Sequence, residues 1–250
     1  MEKHLHDTQL DQVIDATRLR YGQRALFRGG RLRAGGMPVL PTGFPDVDRL
    51  VSIGGLPQGR MTELVGAGTS GRGTLVARTL SLAQRAGHQV AYVDVAQAID
   101  LEMLARSEVS FDSLVILRPL SFGHALEMTR DLIVEGGAGV ILFDRLDNQY
   151  EGSERPNYDL LDRSLRDWNT LLSRSLCALI FLTEVVSLAA YPAELTLPYF
   201  ASVRLGFEWQ AWLWPYQRLT GFHTRVTVLK NKMASSEGQS LLVHMPVFEG

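Results

Sequence analysis

A single cysteine, Cys177, stands in 250 residues. That excludes an intramolecular disulfide framework and fits a reducing compartment. Cys177 lies in an apolar run, so it reads as a small buried hydrophobe rather than a nucleophile. Long apolar runs are also missing. None reaches the about 18 residues that a membrane span needs, so no membrane association is expected. Residues 1–8 (MEKHLHDT) hold no apolar stretch, and no signal peptide is expected. The expected location is the cytoplasm. Charge of one sign is scarce as well: the net charge is −2 and the pI about 6.3. No global basic field points to nucleic acid, so any such contact must be local. With 46% hydrophobic residues the chain can bury one substantial core, while two full domains would be tight.

What is present is centred on Gly54–Thr74, GGLPQGRMTELVGAGTSGRGT. A glycine-rich lead-in precedes a short buried strand, Met61–Val65, and then a glycine loop that opens a helix. This is the layout of a phosphate-binding loop, in which backbone N–H groups and a helix N-terminus cradle phosphate oxygens. The pattern G-x-x-x-x-G-K-[ST] is met at Gly66 and Gly71, but Arg72 replaces the lysine and Gly73 the hydroxyl residue. The loop is therefore either a working nucleotide site or the remnant of one.

Residues 8–21 place Leu10, Val13, Ile14, Thr17 and Tyr21 at helical spacing, with Gly22 as a stop. Ala25–Arg28 reads as a short extended piece, and Gly and Pro interrupt 31–41. This gives an N-terminal helix-and-strand unit with its linker over 1–40 and a core over 41–250. A unit this small buries little alone. In the core, Thr42–Leu50 reads as a turn then a short helix, and helices are expected at Gly73–Ala86, Ala98–Ser107, Phe122–Glu135 and Asp159–Ser173. Strands are expected at Gln89–Val95, Leu114–Leu117, Gly139–Asp144 and Leu176–Leu182. Alternating strands and helices argue an α/β fold with a mainly parallel twisted sheet flanked by helices. In such sheets ligands sit beyond the carboxyl ends of the strands. Gly66–Thr74, Asp94, Asp144 and Thr183–Glu184 all fall at such ends. The tail differs: Ala201–Phe207, Thr224–Lys230 and Ser240–His244 read as antiparallel strands. Trp209, Trp212, Trp214 and Tyr216 lie between the first two, either as hairpin packing or as a partner patch.

PTGFPDVDRLVSIGGLPQGRMTELVGAGTSGRGT resembles the opening of the bacterial recombinase RecA core. So do YVDVAQAID (92–100), YFASVRL (199–205) and TRVTVLKNKMA (224–234). The resemblance covers nearly all of the chain. It implies a RecA-like core, an N-terminal unit that docks on a neighbouring protomer, and no RecA C-terminal domain. The nucleotide contacts it implies fall on Gly66, Gly68, Gly71, Arg72, Thr74, Asp100 and Asp144. It places the family's catalytic glutamate on Ala96 and its stacking tyrosine on Met103. Glu184 stands where the family has the glutamine that senses γ-phosphate. Lys230 and Lys232 match the lysines that reach across the filament interface to a neighbour's nucleotide.

Hydrolysis of this type needs a phosphate cradle, Mg²⁺, a water-orienting carboxylate and charge stabilisation. Here Arg72 lacks the compact charge of a lysine, Gly73 supplies no Mg²⁺ ligand with Thr74 as its weak substitute, and Ala96 cannot orient water. Glu184 is expected to repel nucleotide. The in-cis chemistry is eroded while the in-trans lysines are kept. No catalytic residue, metal site or required cofactor is expected, and weak ATP or ADP binding stays open. The segments matching the family's DNA-binding loops, Leu146–Tyr158 and Val185–Pro198, are poor in Lys and Arg, so single-stranded DNA contact is expected to be weak or indirect. Tyr150, Tyr158 and Tyr191 are the candidates for stacking on bases.

The chain is thus similar to the ImuA type of RecA-related protein of the translesion mutasome. That likeness implies a non-hydrolysing, nucleoid-associated accessory role in the SOS response and damage tolerance. Its partners would be a RecA filament, a translesion polymerase component, or further copies of itself through the N-terminal unit. The alternative is a divergent DNA-dependent ATPase acting as recombinase or mediator.

Overall fold

The computed structural model describes residues 11–17, 19–20, 37–144, 146, 157–215 and 218–247. The chain divides into two compact units, Met1–Met37 and Pro38–Gly250. In the first, residues 11–17 and 19–20 are helical; the expected strand Ala25–Arg28 lies outside the described residues.

The second unit runs β1 (Val39–Leu40), α1 (Pro45–Leu50), β2 (Leu56–Pro57), β3 (Met61–Gly66), α2 (Arg72–Arg85), β4 (Val90–Asp94), α3 (Leu101–Arg106) and β5 (Leu114–Leu117). It continues through α4 (Phe122–Glu135), β6 (Val140–Asp144), α5 (Tyr158–Leu172), β7 (Ala178–Glu184), α6 (Leu197–Phe200), β8 (Val203–Leu213), β9 (Gly221–Asn231) and β10 (Ser240–Pro246). Eight strands form one sheet in the order β10-β9-β8-β3-β7-β6-β4-β5. From β5 to β8 every pairing is parallel; β8, β9 and β10 pair antiparallel. β1 and β2 form a separate two-stranded ribbon, which draws 38–40 into the larger unit.

Strands of a parallel sheet are covered on both faces, so their sequences run nearly unbroken in apolar residues. VILFD in β6 and ALIFLTE in β7 do this, and their side chains alternate between two cores. Leu142 and Ile180 join one core with Leu75, Leu80 and Leu104 from α2 and α3. Phe143 and Phe181 join the other with Leu126, Ile133, Leu165 and Trp168 from α4 and α5. In that second core Trp168 stacks on Phe181 at 6.4 Å and Phe143 lies 5.5 Å from Phe181. Cys177 is buried, and burial pushes its thiol up to about 12, so it stays protonated and unreactive.

Several boundaries differ from the sequence reading, two of them for local reasons that the hydrogen bonds show. α3 starts at Leu101 rather than Ala98, because the Ala98 N–H donates to Asp94 Oδ1 (2.9 Å) while Asp100 caps the helix by accepting from Met103 N (2.8 Å). β8 continues six residues past Phe207, since pairing with β9 persists through a bulge to Trp212↔Phe222 and Leu213↔Gly221. Trp209, Trp212 and Trp214 are 42, 46 and 60% exposed, with Trp209–Trp212 6.0 Å and Trp212–Phe222 5.4 Å apart. The three tryptophans are thus exposed on the hairpin, Trp209 and Trp212 packing in part on each other and on Phe222; Tyr216 lies outside the described residues. No helix among the described residues is long and apolar enough to cross a membrane.

Candidate functional site

Parallel pairing carries the ends of β3, β4, β6 and β7 to one edge of the sheet, in the register Gly66↔Glu184 and Asp94↔Asp144. The loop from β3 to α2 sits there. A Cβ at Gly66 would lie 2.5 Å from the Phe207 carbonyl oxygen, which only glycine tolerates. Gly71 has φ +95° and packs against Phe222 and Met245. The Ser70 hydroxyl and N–H both donate to the Ala67 carbonyl, at 2.7 and 3.1 Å. Thr224 in β9 donates to the Ser70 carbonyl at 2.7 Å. The loop is thus held by its own hydroxyl and by the antiparallel tail.

Arg72 opens α2, and its side chain is 5% exposed. Its Nη2 lies 2.5 Å from Glu184 Oε2, and its Nε donates to the Ala67 carbonyl at 3.4 Å. The Glu184 carboxylate rests against Gly68, where an added Cβ would sit 3.2 Å from Oε1. The two residues read from the sequence as a phosphate contact and a repulsive charge are therefore partners of each other. A phosphate entering this loop would meet the Glu184 carboxylate, and the guanidinium that would answer its charge is already engaged.

Gly73, the next residue of α2, faces Met103. A Cβ at Gly73 would be 3.3 Å from Met103 Sδ, so a thioether fills the space beside the missing hydroxyl. Asp144 accepts from the Tyr92 hydroxyl across β4 and β6. Asp94 is fully buried, with Oδ2 3.4 Å from Arg118 Nε. Ala96 lies in the turn after β4. Among the described residues no three His, Cys, Asp or Glu side chains gather as metal ligands. Beside this corner a groove of about 370 Å³ is lined by Thr74, Asp100, Met103, Arg106, Trp212 and Phe222.

Lys230 and Lys232 stand at the end of β9, away from the loop in sequence. Lys230 Nζ donates to the carbonyls of Pro198 and Tyr199, and Lys232 Nζ donates to Tyr199 O at 2.9 Å. Lys232 also lies 5.6 Å from the Tyr199 ring centroid. Burial first, and the Lys232 charge second, push Lys230 down to about 8.

A third cluster escaped the sequence reading. Glu63 in β3 is fully buried and accepts from Thr183 Oγ1 (2.7 Å), the Tyr191 hydroxyl (2.6 Å) and Arg204 Nε. The Arg204 guanidinium lies 4.8 Å from the Tyr191 ring centroid. Burial, then the Glu63 charge, push the Tyr191 phenol well above its ordinary range. The signal was available: a carboxylate inside the buried strand MTELV demands partners. Tyr191, a candidate for stacking on bases, instead turns into the core. Tyr150 and residues 147–156 lie outside the described residues; 185–198 carry no Lys or Arg.

The fold and the loop match those of known proteins at the level of family. Residues 8–242 match the RecA N-terminal domain. The chain is 29% identical over 244 residues to Protein RecA of Chloroherpeton thalassium, covering 90% of this chain and 68% of the relative. It is 31% identical over 243 residues to Protein RecA of Streptomyces ambofaciens, covering 90% and 65%. For Protein RecA of Citrifermentans bemidjiense the values are 28% over 253 residues, 94% and 75%. The chain spans about two thirds of the length of the first two of these curated relatives. It belongs to the RecA N-terminal domain family.

Proposed function

We propose that this chain is a RecA-like accessory protein of DNA damage tolerance that does not hydrolyse ATP. The observation that carries the reading is the Arg72–Glu184 pair, which fills the phosphate loop from within. Loss of an orienting carboxylate at Ala96 and of a hydroxyl at Gly73 supports it. Each such loss typically costs about 10²-fold or more in rate. Gly66, Gly68, Gly71, Arg72, Thr74, Asp100 and Asp144 then serve as the framework of a closed site. Lys230 and Lys232 form the edge that docks on a neighbouring RecA-like subunit. The opposite edge of the sheet, β5, exposes Val115 and Ile116 and has a strand on one side only. It is suited to receive a strand from another protomer. A RecA filament and a translesion polymerase component, as in ImuA-type proteins, are the partners this reading implies, at the nucleoid and with little direct DNA contact.

One observation favours the alternative of a divergent DNA-dependent ATPase: the groove beside Thr74 and Asp100 leaves room for a planar base. Steady-state ATP hydrolysis with Mg²⁺, with and without single-stranded DNA and beside an active RecA, separates the two. Background rates in both conditions are expected. A DNA-stimulated rate makes the protein an ATPase in its own right.

A further inference from the structure

We infer that the Glu184 carboxylate is a built-in substitute for a ligand phosphate, and that residues 185–197 are thereby held in one ordered arrangement that nucleotide does not control. The inference rests on the reading above in one respect, that the site is closed rather than catalytic.

Glu184 is the last residue of β7, and residues 185–197 follow it directly to α6. Its carboxylate meets the loop where a phosphate would: on the cation at the start of α2 and against the Cα of Gly68. A carboxylate and a phosphate oxygen are equivalent ligands for a guanidinium, both accepting charge-assisted hydrogen bonds. The strand end is therefore anchored with no ligand present. The Val185 N–H donates to the Gly66 carbonyl at 3.2 Å, which ties the next residue to the same loop.

The rest of the segment is fastened within the chain as well. Leu188 packs over Gly206, where an added Cβ would lie 2.7 Å from Leu188 Cδ1. Tyr191 reaches the buried Glu63, which also takes Thr183, the residue before Glu184. Leu195 and Leu197 are buried in the second core. Beyond them, Lys230 and Lys232 hold the carbonyls of Pro198 and Tyr199. Val185, Leu195 and Leu197 are buried anchors, with Leu188 and Tyr191 half-buried between them, while Val186 is 92% exposed; the segment is pinned at those points, whereas a ligand-ordered loop exchanges freely until its ligand arrives. If a ligand makes no differential contact with two states, it shifts nothing between them. With the phosphate position taken, nucleotide has no such contact to make.

Hydrogen exchange on the full chain tests this, with Mg²⁺ and a non-hydrolysable ATP analogue as probe so that turnover plays no part. The hydrogen-bonded amides of Val185, Ala190 and Leu195 are expected to be protected without the probe and unchanged with it. Tyr191→Phe, which removes one hydroxyl, is expected to speed their exchange about tenfold while β6 and β7 stay protected. Glu184→Gln, which keeps shape and removes charge, is expected to raise affinity for the analogue by at least about tenfold. Unprotected exchange at the Val185 and Leu195 amides in the wild type, or slowing of exchange over 185–197 by the analogue, overturns the inference. So does a folded Glu184→Gln with unchanged affinity. The wild-type arm decides alone should that variant fail to fold. ATP hydrolysis by the wild type sinks the non-hydrolysing reading instead, and is measured separately.

Discussion

The phosphate loop and the lysine edge each hold cations against oxygen atoms of the same chain, yet the two are chemically opposite. Arg72 meets a carboxylate, so charge meets charge inside the fold and the pair is neutral. Lys230 and Lys232 meet backbone carbonyls, so dipoles satisfy their donors while both charges survive at the surface. A neutral pair, its cation buried and its carboxylate partly exposed, has little attraction left for an incoming anion. Two ammonium groups on neutral acceptors keep it, because a carboxylate or phosphate binds them better than a carbonyl does. On the proposed reading, closing one anion site and keeping another needs no change of backbone. The glycines that shape the loop are still in place at 66, 68 and 71, and only the side chains decide which end is closed.

The hardest test of that contrast is Glu184→Ala. It leaves the Arg72 guanidinium buried without its carboxylate, a change that costs about 3 kcal/mol where one partner of a buried pair is removed. A lowered urea midpoint at unchanged slope is the expected result. Stability within about 0.5 kcal/mol of wild type, the range of an ordinary surface substitution, would mean the pair closes nothing. The double change Lys230→Ala, Lys232→Ala should act the other way round. Stability should fall by no more than about 1 kcal/mol, as for exposed charges. Co-elution with a RecA filament should weaken about tenfold or more. Unchanged co-elution removes the docking role from this edge.

Much of this was legible in the sequence. Phe122–Glu135 and Leu114–Leu117 appear with the expected bounds, because strong periodicity and clear caps marked them. Convergence of Gly66–Thr74, Asp94, Asp144 and Glu184 on one edge followed from strand order alone. What stayed hidden was pairing across sequence distance. Arg72 and Glu184 are 112 residues apart, and each had an isolated meaning that their meeting reverses. The same holds for Tyr191 and Glu63, and for Tyr92, whose hydroxyl engages Asp144. Nothing local in a sequence records which side chains a parallel sheet will bring side by side.

A smaller effect follows from pH. Lys230 is pushed from its ordinary 10.5 to about 8, by burial first and by Lys232 second. Its charge is therefore lost as pH rises through 8, and docking on an anionic partner should weaken several-fold between pH 7 and 9. Folding stability from this group runs the opposite way. Between about 8 and 10.5 the folded chain holds fewer protons at this site than the unfolded chain, so its contribution to stability rises with pH there. Lys232→Gln should move the fall in docking to higher pH. A docking curve flat from pH 7 to 9 would place Lys230 outside the interface.

The smallest expected effect is none at all, from Ala96→Glu. This change returns a carboxylate to the turn after β4, beside the ends of β6 and β7. A carboxylate that orients water is worth about 10²-fold or more only where the phosphate and its metal are already held. Here the cation of the loop is committed to Glu184, Met103 fills the space beside Gly73, and Asp144 is engaged by Tyr92. Hydrolysis by the variant should stay at background with and without single-stranded DNA. Robust turnover would show that the loop admits phosphate despite the Arg72–Glu184 pair. The closed end and the open end would then differ by one side chain at 96, and the contrast between them would rest on catalysis alone rather than on binding.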